Sequence, residues 1–328
     1  MLQLSRFWKV TAMKKMFALL LCAATLFAFA ACGGSEAPDP TEATVSVTEA
    51  PADTAAPTAA PTEAAPAETL PAPTEPRKLL ENAVLFDSDD ASFIVTKAED
   101  SDHLGMQLHV QCVNKSSSTL LFSWDMVSVC GYMYDPMWAE EVAAGKTANS
   151  TIDLDTYALE TMGIDSVDEI TFTLRISDSA NWMEPPLAEE VHTIYPTGLS
   201  ADTLVLPTHP ARDAQVVVAE DENIRFVIDD SFDDASSYVL QIYMENNSDR
   251  NLMYSWDLVS VNGKMIDPFW ATSVTAGKRA CSEISFSRSD LEANDITDVS
   301  SIEFKLIVSD YDDWEAPNLL EQVYTYHP

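Results

Sequence analysis

Basic residues are scarce in this 328-residue chain: 18 Lys and Arg stand against 53 Asp and Glu, a formal charge of −35. Four of them, Arg6, Lys9, Lys14 and Lys15, precede the first acidic residue, Glu36, so from Cys32 onward 14 basic residues face 53 acidic ones. Such a surface repels phosphate backbones, which excludes nucleic acid as a partner. Anionic headgroups repel it too, so membrane attachment needs something other than charge. Glycine is also rare, nine in all, and no phosphate-binding loop is complete. Gly145-Lys146-Thr147 has the end of one but lacks the upstream Gly, and the matching stretch further on reads Gly277-Lys278-Arg279. The five histidines (103, 109, 192, 209 and 327) show no metal-ligand spacing. A nucleophile elbow, a zinc motif and a Cys-x-x-Cys pair are all missing. No catalytic residue, metal ligand or cofactor is therefore assigned, and the chain is not expected to be an enzyme.

Long apolar runs are missing as well, with one exception. Phe17 to Ala31 is an almost unbroken apolar stretch behind the basic Met13-Lys14-Lys15. It is short for a membrane span, which needs about 20 residues, and suits a signal peptide over 1–31, with residues 1–12 as an upstream extension. The run ends in Phe29-Ala30-Ala31-Cys32-Gly33-Gly34-Ser35, which resembles a bacterial lipoprotein signal of the Gram-positive type. The resemblance implies a diacylglyceryl group on Cys32, a new N-terminus there, and a chain held on the extracytoplasmic face of the cell membrane. Two acyl chains anchor stably where one is marginal.

Residues 32–79 follow as a tether. Between 35 and 76 lie nine Pro and eight acidic residues, with no basic residue, no Gly and no aromatic. That composition cannot form a core and is expected to be disordered, with polyproline II character.

Beyond the tether the dominant feature is a duplication. Ser123-Trp124-Asp125-Met126-Val127-Ser128-Val129 returns as Ser255-Trp256-Asp257-Leu258-Val259-Ser260-Val261, and at this offset residues 120–196 align with 252–328 with 36 of 77 positions identical. The six Trp residues after the leader pair as Trp124/Trp256, Trp138/Trp270 and Trp182/Trp314. Two units, 80–196 and 212–328, joined by a linker at 197–211, follow from this repeat. Period-two alternation at Met106 to Cys112 and Tyr238 to Met244 predicts strands. Asn262-Gly263, matched by Cys130-Gly131, predicts a hairpin. Leu159 to Val167 and Leu291 to Val299 are the one helical stretch in each unit. Seven or eight short strands per unit predict an all-β chain of two tandem, largely independent immunoglobulin-like antiparallel β-sandwiches. The strand, Asn-rich turn, Trp-Asp strand and Ala-Gly-Lys turn resemble the immunoglobulin-like domains of lipoproteins from anaerobic Gram-positive bacteria. That resemblance implies fold and location, and no activity.

With Cys22 and Cys32 in the leader, three cysteines remain: Cys112, Cys130 and Cys281. None is shared between the copies, and free thiols are expected. The acidic clusters at Asp87–Asp90, Asp229–Asp234 and Asp310–Asp313 lack the spaced pattern of a calcium loop and read as solvated turns. Trp124 and Trp256 read as core. Trp138 and Trp270, after Asp135-Pro136 and Asp267-Pro268, and Trp182 and Trp314, after further acidic loops, are the candidate ligand site. A ring beside a carboxylate can stack on and hydrogen-bond a sugar or peptide, although the same rings could plug the sandwich ends. The leading expectation is a non-catalytic surface module with a glycan or protein ligand from wall, host or matrix. A structural spacer comes next and an unfamiliar enzyme third.

Overall fold

The computed structural model describes residues 44–47, 78–101, 105–181 and 184–328. The signal segment, Cys32, most of the tether and Trp182 lie outside the described residues. Strand β1 (Thr44–Val47) precedes the first copy. That copy runs through β2 (Glu81–Asp87), β3 (Ala91–Ser101), β4 (Gly105–Asn114), β5 (Leu120–Val129), β6 (Tyr132–Met133), β7 (Ala139–Val142), β8 (Thr147–Leu154), helix α1 (Thr156–Thr161), β9 (Ile170–Asp178) and β10 (Ala188–Ile194). The second copy repeats the order. It has β11 (Val216–Glu220), β12 (Ile224–Asp233), β13 (Ser237–Asn246), β14 (Leu252–Val261), β15 (Lys264–Met265), β16 (Ala271–Val274), β17 (Arg279–Ser287), helix α2 (Arg288–Ala293), β18 (Ile302–Asp310) and β19 (Leu320–His327). The all-β expectation holds.

In the first copy β2-β3-β4-β8 form one sheet, and β10-β9-β5, with β6 and β7 beside β5, form the other. In the second, β11-β12-β13-β17 face β19-β18-β14, with β15 and β16 beside β14. Alternation places the cores: along β4, Met106, Leu108, Val110 and Cys112 are buried while the residues between them are half-exposed. Two apolar clusters form: one around Phe93, Trp124 and Phe172 extends through Tyr132 to Val227 and Tyr243 of the second copy, and the other lies around Phe226, Trp256 and Phe304.

The hairpin prediction is met in both copies. Asn262 and Gly263 have φ of 50° and 77°, and Cys130 and Gly131 have 47° and 84°, the left-handed pair that suits the twist of the flanking strands. Asn262 holds its turn by donating to Asp298 O and accepting from Ser300 and Ser301 N–H. Cys130 substitutes a weaker version: its Sγ donates to Ser166 O at 3.3 Å and accepts from Asp168 N at 3.4 Å. The helices start about three residues earlier than the apolar pattern suggests. Asp155 caps α1 by accepting from the N–H of Tyr157 and Ala158, and Ser287 caps α2 by accepting from Asp290 N–H.

Two expectations need correction. The tether is not featureless: Thr44–Val47 pairs antiparallel with β19, from Thr44 opposite His327 to Val47 opposite Tyr324. Thr-Val-Ser-Val is the β-favouring stretch in that segment, and it covers an otherwise open sheet edge. Nor are the copies independent. β6 pairs parallel with β17 at Tyr132 opposite Arg279, so one nine-stranded sheet runs from β10 in the first copy to β11 in the second.

Candidate functional site

The aromatic site predicted from sequence does not assemble as an exposed platform. Trp270 is only 7% exposed, and its indole N–H donates to Ser282 Oγ at 3.0 Å. Trp138 is half-buried and donates to Ser150 Oγ at 3.1 Å. Each stands edge-on to the strand tryptophan of its own copy, 6.0 Å from Trp124 and 5.9 Å from Trp256. Trp124 in turn stacks on Phe172 at 3.8 Å, and Trp256 lies 5.4 Å from Phe304. The Asp-Pro segments turn the chain so that these rings close the sandwich end. Asp135 caps its own loop by accepting from Met137 N–H at 2.7 Å. Partial burial, then the charge of Asp257, pushes the Asp267 carboxyl above its usual range. Trp138 and Trp270 are therefore core residues, because each ring fills the sandwich end and pairs its one polar atom inside it.

Trp314 is different. It is 61% exposed in the loop between β18 and β19, which is tied down on both sides. Asp310 accepts from Asp312 and Asp313 N–H, and Asn251 donates to Asp312 at 2.9 Å. Hydrogen bonds from Asp313 and Asp312, with Arg250 adding charge, hold the Asp310 carboxyl below the ordinary carboxylate range. Asp234 and Asp178 sit below it for the same reason, each accepting backbone N–H bonds in its turn. These carboxylates spend their oxygens on turn geometry. Among the described residues no group of three or more His, Cys, Asp and Glu could hold a metal ion.

The three thiols are free. Burial pushes Cys112 and Cys281 up to about 12 and raises Cys130, which keeps them protonated and unreactive.

The densest chemistry lies where the copies meet, a feature the sequence reading did not anticipate. Tyr132, fully buried, sits under Arg279, whose guanidinium carbon lies 4.7 Å from the ring centre. Arg279 N–H donates to Gly131 O at 3.0 Å. Lys278 Nζ reaches Glu169 at 2.8 Å, both largely buried. Met126 and Met133 touch the hydroxyls of Ser273 and Thr275. The linker joins in. His209 stacks on Tyr243 at 3.6 Å and 6°, with Nε2 2.7 Å from Asp229, and Arg212 donates to Gln241 at 2.6 Å. The copies differ at these positions. Tyr132, Tyr243, Arg279 and Cys281 correspond to Lys264, Gln111, Thr147 and Asn149. Comparing the copies for positions apolar or aromatic in one and polar in the other is the sequence signal that finds the joint.

Comparison with protein-family models and with curated proteins finds no match. Among solved structures, the exo-chitosanase CsxA of Amycolatopsis orientalis shares 13% identity over 69% of this chain at a TM-score of 0.22. Its D469A variant in complex with PNP-beta-D-glucosamine gives the same identity, coverage and score. The chain spans about a quarter of those proteins, 26%, and a likeness at that score carries no argument about activity.

Proposed function

We propose that this chain is a non-catalytic envelope protein, held on the extracytoplasmic face of the membrane by a lipid on Cys32, whose two immunoglobulin-like units act as one stiff spacer. The observation that carries the reading is the joint: a sheet continuous through β6 and β17, with Tyr132, Arg279, Glu169 and Lys278 packed across it. A pair of modules meant to move independently has no use for buried charge and aromatic stacking between them. Among the described residues no helix is long and apolar enough to cross a membrane; the anchor rests on the lipoprotein-like run that ends in Cys32. Replacing Cys32 with Ser is expected to move the protein from the membrane fraction to the medium or the soluble fraction. Equal retention of the Ser variant and the parent defeats the anchor.

A second reading, ligand binding, is favoured by one observation, the exposed ring of Trp314 on its braced acidic loop. A glycan and peptide array probed with the parent and with Trp314→Ala is expected to show a signal lost in the variant if this loop recognises a sugar or protein ligand. An array that is blank, or identical for the two, leaves the spacer reading alone.

A further inference from the structure

We infer that a second copy of this chain docks head to tail onto the first, its second repeat seating on the open face of the first repeat as the two repeats already seat within one chain. The internal joint has two halves. One is a tip, the β5–β6 hairpin with Met126 and Met133; the other is a seat, the free edge of β17 and the groove beside it. Duplication supplies a second tip and a second seat. Among the described residues, strand β15 pairs with β14 alone and β8 with β4 alone.

The grooves correspond residue by residue. A cavity of about 180 Å³ in the second copy is lined by Asp229, Gln241, Ile242, Cys281, Ser282 and Glu283. Thr161 and Met162 at the end of α1, together with Arg212, close over it. The first copy has a cavity of about 490 Å³ lined at the matching register by Thr96, His109, Val110, Asn149, Ser150 and Thr151. Among the described residues nothing caps it in the same way.

The second tip is built for contact. Leu258 takes φ 54° at the bulge where Met126 takes 50°, a costly backbone for a bulky residue. It leaves the Leu258 side chain 56% exposed, and Met265 on the paired strand is 63% exposed. Met126 and Met133 both reach strand β16 or its end across the existing joint, so their counterparts Leu258 and Met265 face one way. The buried Glu169–Lys278 pair has no counterpart, because Ser301 stands where Glu169 does and Lys146 where Lys278 does, and Lys97 and His109 on the seat are held by Glu99 of their own copy. The Tyr132–Arg279 stack is replaced by Lys264 and Thr147, so the contact between chains is weaker than the one within a chain. A dissociation constant on the order of 100 μM is expected. Because tip and seat are different surfaces, the association is heterologous and propagates until one end is blocked.

Sedimentation of the whole chain in mild detergent tests this inference, independently of the anchor. The weight-average protein mass is expected to at least double between ~5 and ~500 μM. Met265→Glu blocks the tip. Thr147→Lys blocks the seat by facing Lys264 with a like charge. Both positions are exposed, so folding is preserved, and each variant alone is expected to sediment as a single chain. Mixed one to one, they are expected to form a dimer and nothing longer, since one good tip and one good seat remain. Constant single-chain mass for the parent, association untouched by either variant, or a mixture that stays monomeric each overturns the inference.

Discussion

Asn246→Ala is expected to remove about 3–5 kcal/mol of stability, far more than an ordinary turn substitution. Asn246 is fully buried, and its amide uses nearly all of its hydrogen-bonding capacity. Nδ2 donates to Arg250 O at 2.7 Å and to Val274 O at 2.8 Å, while Oδ1 accepts from Ser248 N at 3.0 Å and Ser248 Oγ at 2.7 Å. It therefore pins the β13–β14 turn to the end of β16. Removing the amide strands a carbonyl at fully buried Val274, and each buried unsatisfied group costs about 1–3 kcal/mol. Asn114 repeats the arrangement, donating to Ser118 O and Val142 O at 2.8 Å each, and Asn114→Ala is expected to cost the same. Denaturant unfolding measures both as a fall in midpoint at constant slope. Asn246→Asp separates volume from hydrogen bonding, because a carboxylate of equal size cannot donate to two carbonyls. It is expected to cost at least as much as the Ala variant. A loss under about 1 kcal/mol for Asn246→Ala means that a water replaces the amide.

That latch marks where the sequence was legible and where it was not. Asn114 and Asn246 read as polar turn residues, which is true of their position and silent about their burial. Strand placement was legible because alternation reports directly on which side of a sheet meets a core, and the Trp pairs located both cores through the repeat. Trp138 and Trp270 read as loop residues because Asp-Pro precedes them. Their burial depends on Ser150 and Ser282, twelve residues on and across the sandwich, a distance no local pattern spans. The joint was hidden for a different reason. The repeat draws attention to what the copies share, whereas Tyr132 and Tyr243 matter because their counterparts, Lys264 and Gln111, are polar. An interface used once within a duplicated chain appears as the difference between its halves.

The joint supports the other large prediction. The two copies are expected to unfold together in the parent and in two separate calorimetric transitions in Tyr132→Ala. Tyr132 is the piece that both sides grip: Arg279 lies over its ring at 4.7 Å, and Tyr243, itself stacked by His209 of the linker, lies 6.4 Å away. Burial pushes its hydroxyl up to about 12, so it acts as a neutral apolar anchor at all ordinary pH. Deleting a buried ring of this size costs about 3–5 kcal/mol, and much of the cost falls on coupling, because Tyr132 is the part of the Trp124 cluster that reaches Val227 and Tyr243 of the second copy. What remains across the joint is the Glu169–Lys278 pair, the bond from Arg279 N–H to Gly131 O, the Met126 and Met133 contacts and the linker, and an ion pair that water reaches is worth only about 0–1 kcal/mol. Lys264→Ala at the matching position of the second copy is the control. Lys264 is exposed, and the change is expected to stay within about 0.5 kcal/mol with the single transition preserved. Should Tyr132→Ala lower one transition without splitting it, the coupling runs instead through the linker contacts of His209 and Arg212, and the aromatic anchor is not what makes the two copies one body.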